Sequence, residues 1–284
     1  MIELLHQKTN DIIKQLGLSF SHGLLLTGST ASNLPFVVDR LSRNWISATS
    51  EGQYLRNLIQ LTPDEDGKIT KESIDRLLAR LNHKQSHGKR VVVIQNLELL
   101  HINSYNAMLK ALEEPGVETI FVLTTTDPKH IPATVRSRMQ HVQIPELSHK
   151  QIIDHFSGLG IDLNQLKFLS HITNGNLDEI SSAISDKKLL DELMSVANEA
   201  KEVLTSDVYE RLIVSRNFSK DRSKTKQFIQ ALIVLCSSAL RSTASSAAKA
   251  QQWAKRIELL LEAERKLETN VQPRLIIQQL MVQL

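Results

Sequence analysis

The chain has 284 residues, which is room for two domains, or three small ones, with a sizeable buried core. Apolar residues make up 41% and charged residues 23%, ordinary values for soluble globular proteins, and no apolar run approaches the roughly 20 residues that a membrane span needs. Lys plus Arg is 34 against 31 Asp plus Glu, so a net charge of +3 names no partner and any basic surface must be local.

The opening MIELLHQKTNDIIKQL is an amphipathic polar segment without the core of a signal peptide, and a cytoplasmic protein with no membrane partner is expected. Short apolar runs then follow at Leu24 to Leu26, Leu58 to Leu61, Val91 to Ile94, Ile120 to Leu123 and, more weakly, Val142 to Ile144. The clearest of these are apolar throughout, which predicts strands covered on both faces in a parallel sheet. Helical spacing separates them: Leu34, Val37, Val38 and Leu41, then Ile74, Leu77, Leu78 and Leu81, then Ala107, Met108, Leu109 and Leu112. Gly28, Gly67, Gly88 and Pro115 mark joints. The alternation predicts an α/β domain over 1–147.

After Pro145 the strand signal vanishes. Residues 148–199 carry helical stretches, the first starting at Ser148 as an N-cap, with turn chemistry at Asn174-Gly175-Asn176. Residues 200–284 read as helices only, broken at STASSAAKAQ. The single cysteine, Cys236, lies in the apolar stretch ALIVLCSSAL; it excludes an internal disulfide and a cysteine-rich zinc site and reads as a buried small hydrophobe.

A parallel sheet binds ligands at the carboxyl ends of its strands, so the loop after the first strand is the first place for chemistry. A phosphate-cradling loop GxxxxGK[ST] needs a second glycine, a lysine and a hydroxyl. Here Gly28 fills the first position, but Asn33, Leu34 and Pro35 fill the other three. The third strand ends in Gln95-Asn96, where a nucleotide hydrolase would carry Asp-Glu to hold magnesium and activate water; amides do neither near neutral pH. Glu98 is either a displaced acid or a solvated glutamate at a helix start. The ten histidines fall in no metal-binding spacing and no GxSxG occurs, so no metal and no cofactor is expected.

The run Tyr105-Asn106-Ala107-Met108-Leu109-Lys110-Ala111-Leu112-Glu113-Glu114-Pro115, then Phe121 to Pro128, then Arg136-Ser137-Arg138-Met139, resembles the AAA+ subunits of the bacterial sliding-clamp loader in order and spacing. Asn270-Val271-Gln272-Pro273-Arg274-Leu275 resembles the phrase that opens the last collar helix of that family, so the likeness covers nearly the whole chain. It implies an AAA+ P-loop-type parallel sheet domain over 1–147, a small helical lid over 148–199 and an all-α collar that serves oligomerisation over 200–284.

ATP-binding members keep the phosphate loop and the Asp-Glu pair, whereas delta prime subunits of the DNA polymerase III loader often carry a degraded site; the chain resembles the latter. Gly175-Asn176-Leu177-Asp178 has an acid where the family's sensor motif places an arginine, and the stretch from Trp45 to Gln53 lacks the family's four-cysteine zinc insert. The resemblance also gives Arg138 a role, with Ser137 positioning it: an arginine reaching the γ-phosphate bound by the next subunit, which stabilises the transition state from across an interface. Thr125 and Thr126 match a strand-end sensor region, but without phosphate they read as strand-end hydroxyls with internal partners. Glu113-Glu114-Pro115 reads as a helix terminus packed against the neighbouring module.

The implied function is a stator without ATPase activity of its own, assisting the loading of the clamp on primed DNA. Its implied partners are gamma/tau-type ATPase subunits and the delta subunit, with the sliding clamp and primer-template DNA reached through the complex. Two rivals stand beside it: an active clamp-loader ATPase with a divergent loop, and an AAA+-derived DNA-binding adaptor. Three basic groups bear on DNA: Lys129, His130, Arg136, Arg138 and His141; Lys220, Arg222, Lys224 and Lys226; and the loop His83 to Arg90. Aromatic content of 4% leaves little for base stacking.

Overall fold

The computed structural model describes residues 2–18, 22–63, 69–81, 89–100, 102–116, 118–243, 246–267, 269 and 271–284. The joints expected at Gly67 and Gly88, the basic loop from His83 to Gly88, and Asn270 lie outside these residues. The chain divides into two compact units, Met1–Ser148 and His149–Leu284.

In the first unit, α1 (Gln7–Leu18) leads into β1 (Gly23–Thr27), α2 (Leu34–Ile46), α3 (Glu51–Asn57), β2 (Leu58–Leu61) and α4 (Lys71–Leu81). Then come β3 (Arg90–Ile94), α5 (Ile102–Glu113), β4 (Thr119–Thr125), the short α6 (Ala133–Arg136) and β5 (Gln140–Gln143). The five strands form one sheet in the order β2-β3-β4-β1-β5, and every pairing is parallel. Successive side chains of a strand point to opposite faces. Thus Leu24, Leu26, Val91, Val93, Ile120 and Val122 pack with Ile13 of α1, with α2 through Val37, Leu41 and Trp45, and with Tyr54 of α3. Leu25, Val92, Ile94, Phe121 and Leu123 pack on the other face with Ile74 and Leu77 of α4, Met108 and Leu112 of α5, and Val135 of α6. This two-sided burial is what the unbroken apolar runs encode.

The predicted strands fall where expected except the last, which starts two residues earlier and ends one earlier, over Gln140–Gln143; it is an edge strand with only Val142 turned partly inward. Pro115 follows the end of α5, as its missing N–H requires.

The second unit is helical among its described residues: α7 (His149–Phe156), α8 (Leu163–Ile172), α9 (Leu177–Ser185), α10 (Lys187–Thr205), α11 (Val208–Ser215), α12 (Arg222–Ser242), α13 (Ala247–Leu267) and α14 (Pro273–Gln283). Side chains of Asp162, Asn176, Asp186, Asp207 and Asp221 accept from backbone N–H groups at the starts of α8 to α12, satisfying donors that a helix end leaves open. One core runs from Leu169 through Phe228, Leu232 and Cys236 to Ile277 and Met281. The boundary expected between residues 199 and 200 falls inside α10, where Ala200 and Val203 are buried in that core; a boundary there would cut a continuous helix through its packed face.

Candidate functional site at the strand ends

The loop after β1 is tied to its own chain at Ser29, Ala31, Ser32 and Asn33. Asn33 adopts the left-handed conformation (φ 52°, ψ 46°), which asparagine tolerates, and α2 starts immediately after it with Pro35 in its first turn. Asn33 Nδ2 donates to the carbonyls of Ile2 (2.8 Å) and Leu4 (3.0 Å), so the N-terminal segment is strapped to the loop. Ser32 Oγ donates to the Ile144 carbonyl at 3.0 Å, and the Leu147 N–H donates to the Ala31 carbonyl at 3.0 Å. Ser29 Oγ donates to Glu146 Oε2 at 2.8 Å, which sets a carboxylate at the loop. A phosphate cradle needs outward N–H groups and a cation. Here Ala31, Ser32 and Asn33 are buried, and Ser32 leaves no room for a side chain on Gly28.

At the end of β3, Asn96 is also left-handed (φ 53°), and its N–H donates to Thr124 Oγ1 of β4 at 3.3 Å. Glu98 is partly exposed: Oε1 accepts from the Thr126 hydroxyl (2.7 Å) and N–H (3.3 Å), while Oε2 is buried without a partner among the described residues. Thr125 Oγ1 accepts from the Asp127 N–H at 3.0 Å, so the expected internal partners of Thr125 and Thr126 are present. Tyr105 of α5 donates its hydroxyl to the Leu97 carbonyl at 2.5 Å, fixing this turn to the helix.

Ser137 and Arg138 lie at the opposite edge of the sheet. They precede β5, whose Gln140 pairs beside Leu24 at the start of β1, and the Arg138 carbonyl is 3.4 Å from where a Cβ on Gly23 would stand. The five residues of β1 therefore separate Arg138 from the loop after β1, a span of roughly 13 Å at the rise of a parallel strand. Arg138 Nη1 donates to the Thr134 carbonyl (2.7 Å) and Ser137 Oγ (3.3 Å), Nε donates to Glu113 Oε1 (2.8 Å), and Nη2 donates to the same carboxylate oxygen. Glu113 closes α5, the helix terminus expected there, and its carboxylate pairs with an arginine of its own unit.

The basic groups also change character. His130 Nδ1 lies 2.7 Å from Asp127 Oδ2, and this hydrogen bond holds the Asp127 carboxyl below its usual range; His141 Nε2 meets Thr27 Oγ1 at 3.0 Å. Arg222 donates to the carbonyls of Leu267, Thr269 (2.8 Å) and Val271 (2.9 Å), clamping the turn between α13 and α14, and Asp221 beside it is the cap of α12. Arg90 is buried and donates to the Leu81 carbonyl at the end of α4 (3.0 Å). Asp178 sits in the first turn of α9, where Asn176 Oδ1 accepts its N–H. Sequence spacing gave no signal for the Glu113 to Arg138 pair, the Asn33 strap or the Glu146 contact, because each joins segments far apart in the chain.

A parallel sheet of this order, with its first loop and the ends of β3 and β4 converging on one edge and a helical unit following, is the AAA+ type of α/β architecture. The family described as DNA polymerase III, delta subunit, matches residues 19–148. The DNA polymerase III subunit gamma of Buchnera aphidicola subsp. Schizaphis graminum is 32% identical over 121 residues, 40% of this chain and 33% of that protein. Subunit tau of Bacillus subtilis is 32% identical over 119 residues, 40% of this chain and 20% of that one. Subunit delta' of Bacillus subtilis is 28% identical over 103 residues, 36% of this chain and 31% of that one. The matched stretches span a third or less of the length of these relatives. A solved DNA polymerase III gamma subunit-related protein from Thermotoga maritima shares the fold, with a TM-score of 0.56 over 97% of this chain and 98% of that one at 16% identity. Over residues 19–148 the first unit is similar to subunits of the bacterial DNA polymerase III clamp loader.

Proposed function

We propose that the chain is a clamp-loader subunit of the delta prime type, which does not turn over ATP and sets Arg138 against ATP held by a gamma/tau-type neighbour. The observation that carries this reading is the separation of the two halves of a hydrolytic site: Arg138 precedes β5 while the loop after β1 lies at the far edge of the sheet. An arginine there has no phosphate of its own chain to reach, whereas an adjoining subunit can present one. Ser137 supports the arrangement, because its hydroxyl and the Thr134 carbonyl fix Nη1.

The loop itself supports the absence of turnover. Gly28, Asn33, Leu34 and Pro35 offer no lysine or magnesium-binding hydroxyl, Gln95 and Asn96 offer no carboxylate, and Glu146 at Ser29 repels a polyphosphate. Exposed apolar side chains on α11 and α14, such as Tyr209 and Leu275, support assembly through the C-terminal helices as a collar, with the helices near the start of the second unit as a lid. In this reading the chain is a cytoplasmic stator beside the ATPase and delta subunits, and it reaches the sliding clamp and primer-template DNA through the complex.

Calorimetry with magnesium-ATP tests the first half: the isolated chain is expected to give no micromolar binding, and such binding would instead favour an active ATPase with a divergent loop. Arg138→Ala tests the second half. It is expected to assemble normally but to lower DNA- and clamp-stimulated hydrolysis at the one site it faces by on the order of tenfold or more, with clamp loading impaired accordingly. Arg138→Lys should restore only part, since it keeps the charge and loses the planar fork. Clamp loading at the wild-type rate by the alanine variant overturns the trans-acting role.

A further inference from the structure

We infer that Glu113 is a positioning residue for Arg138, holding the guanidinium back from a neighbouring subunit's phosphates until the assembled complex draws it away. The inference rests on the trans-acting reading of Arg138 and adds the group that governs it.

A guanidinium recognises phosphate best through two parallel N–H donors on one edge. In this chain all three nitrogens already donate internally: Nη1 to Thr134 and Ser137, Nε and Nη2 to Glu113 Oε1. The two sets of partners differ in kind. Thr134 O and Ser137 Oγ are neutral and lie on the same turn as the arginine, so they fix where it starts from. Glu113 is charged, comes from α5, and covers the Nε to Nη2 edge, which is the fork a phosphate would need. Arg138 and Glu113 side chains are 32% and 47% exposed, so the pair is screened by water and salt and can open without leaving a buried charge behind. A triphosphate carries several negative charges and outcompetes one solvated carboxylate once an interface brings it near. Glu113 therefore sets a threshold that suppresses hydrolysis in a loosely assembled complex.

The test uses the complex reconstituted from this chain and the clamp-loader subunits of its own source, with Glu113→Gln, Arg138→Ala and the double variant. Glu113→Gln keeps the shape and one acceptor but removes the charge. It is expected to raise hydrolysis in the absence of clamp and DNA by about two- to fivefold, the range an exposed ion pair can hold, and so to lower the stimulation ratio. The double variant should fall to the level of Arg138→Ala alone, which a merely structural role for Glu113 would not produce. An unchanged or lowered unstimulated rate in Glu113→Gln overturns the inference, a lowered one meaning that Glu113 props the arginine forward. Hydrogen exchange of the Arg138 Nε–H, read by nitrogen-15 NMR on the isolated chain, supplies the second arm: slow exchange is expected in the wild type and faster exchange in Glu113→Gln. Equal exchange with an impaired Arg138→Ala removes the hold and keeps the trans-acting reading. Slow exchange with a fully active Arg138→Ala removes that reading, and the inference with it.

Discussion

If Gly28 is retained for close packing inside a closed loop, adding a single methyl group there should unfold the first unit more easily. A Cβ on Gly28 would stand 2.6 Å from Ser32 Oγ, 2.7 Å from Ser32 Cβ and 3.2 Å from the Ile144 carbonyl. Ser32 is 2% exposed and its hydroxyl donates to that same carbonyl at 3.0 Å, so it has no outward rotamer to adopt without giving up the bond. Stranding a buried hydrogen-bonding group costs about 1 to 3 kcal/mol, and an extra carbon in a full site about 1 to 3 kcal/mol more. The stiffer unfolded chain returns about 0.4 to 1 kcal/mol, which leaves a net loss of about 3 kcal/mol from mid-range values.

Urea unfolding reads this well because Trp45 is buried in the first unit, its indole N–H donating to the Leu16 carbonyl at 3.2 Å, while the other tryptophan, Trp253, lies in the second unit and can be silenced as Trp253→Phe. With a slope near 2 kcal/mol per molar urea, the Trp45 midpoint of Gly28→Ala should fall by about 1.5 M. Adding Ser32→Gly removes both of the closest atoms and should recover more than half of that shift. A wild-type midpoint for Gly28→Ala would refute the reasoning, as would a double variant no more stable than the single one.

Arg222→Ala should cost the second unit about 1 to 3 kcal/mol in urea unfolding, because the carbonyls of Leu267, Thr269 and Val271 lose their shared donor, while duplex DNA affinity measured by anisotropy stays unchanged; unchanged stability with weakened DNA binding would restore the nucleic-acid reading. Tyr105→Phe should cost about 1 to 2 kcal/mol by stripping the Leu97 carbonyl of its hydroxyl donor, again read by urea. Burial pushes the phenols of Tyr54 and Tyr105 up to about 12 from 10, so the fold favours their neutral forms. That contribution is complete below pH 10 and lost as pH rises toward 12, and alkaline titration followed by phenolate absorbance and circular dichroism should show ionisation and unfolding together in that window. Cys236 is fully buried and burial pushes its thiol up to about 11, so a disulfide reagent at about pH 8 should label it only after denaturation; rapid labelling of the native chain would contradict the core placement.

The elements that local sequence made legible are those whose environment repeats along the chain. β1, β3 and β4 are buried on both faces, so each holds an unbroken apolar run, and α2, α4 and α5 carry one apolar stripe each. β5 was displaced in the sequence reading because Gln140-His141-Val142-Gln143 is polar apart from Val142, and what makes it a strand is the ladder it forms with β1, more than a hundred residues away. The loop after β1 divides in the same way. Its missing lysine and hydroxyl are visible in the sequence, but its closure depends on Asn33 meeting Ile2 and Ser32 meeting Ile144, contacts that no local spacing records.

The arginines carry this argument furthest, since in sequence Arg90, Arg138 and Arg222 are alike, each a cation in a basic run. Their acceptors separate them. Arg90 and Arg222 donate to backbone carbonyls at the ends of α4 and α13, where the helix leaves carbonyls open and its dipole favours a cation. If either arginine left, those carbonyls would lose their donor, so both are held to structural work. Arg138 donates chiefly to a half-exposed carboxylate that water can satisfy, and the Thr134 carbonyl beside it keeps the Ser137 hydroxyl when the guanidinium goes. Of the three, Arg138 is the one whose departure strands nothing, and that freedom is what a side chain needs in order to act on a neighbouring molecule.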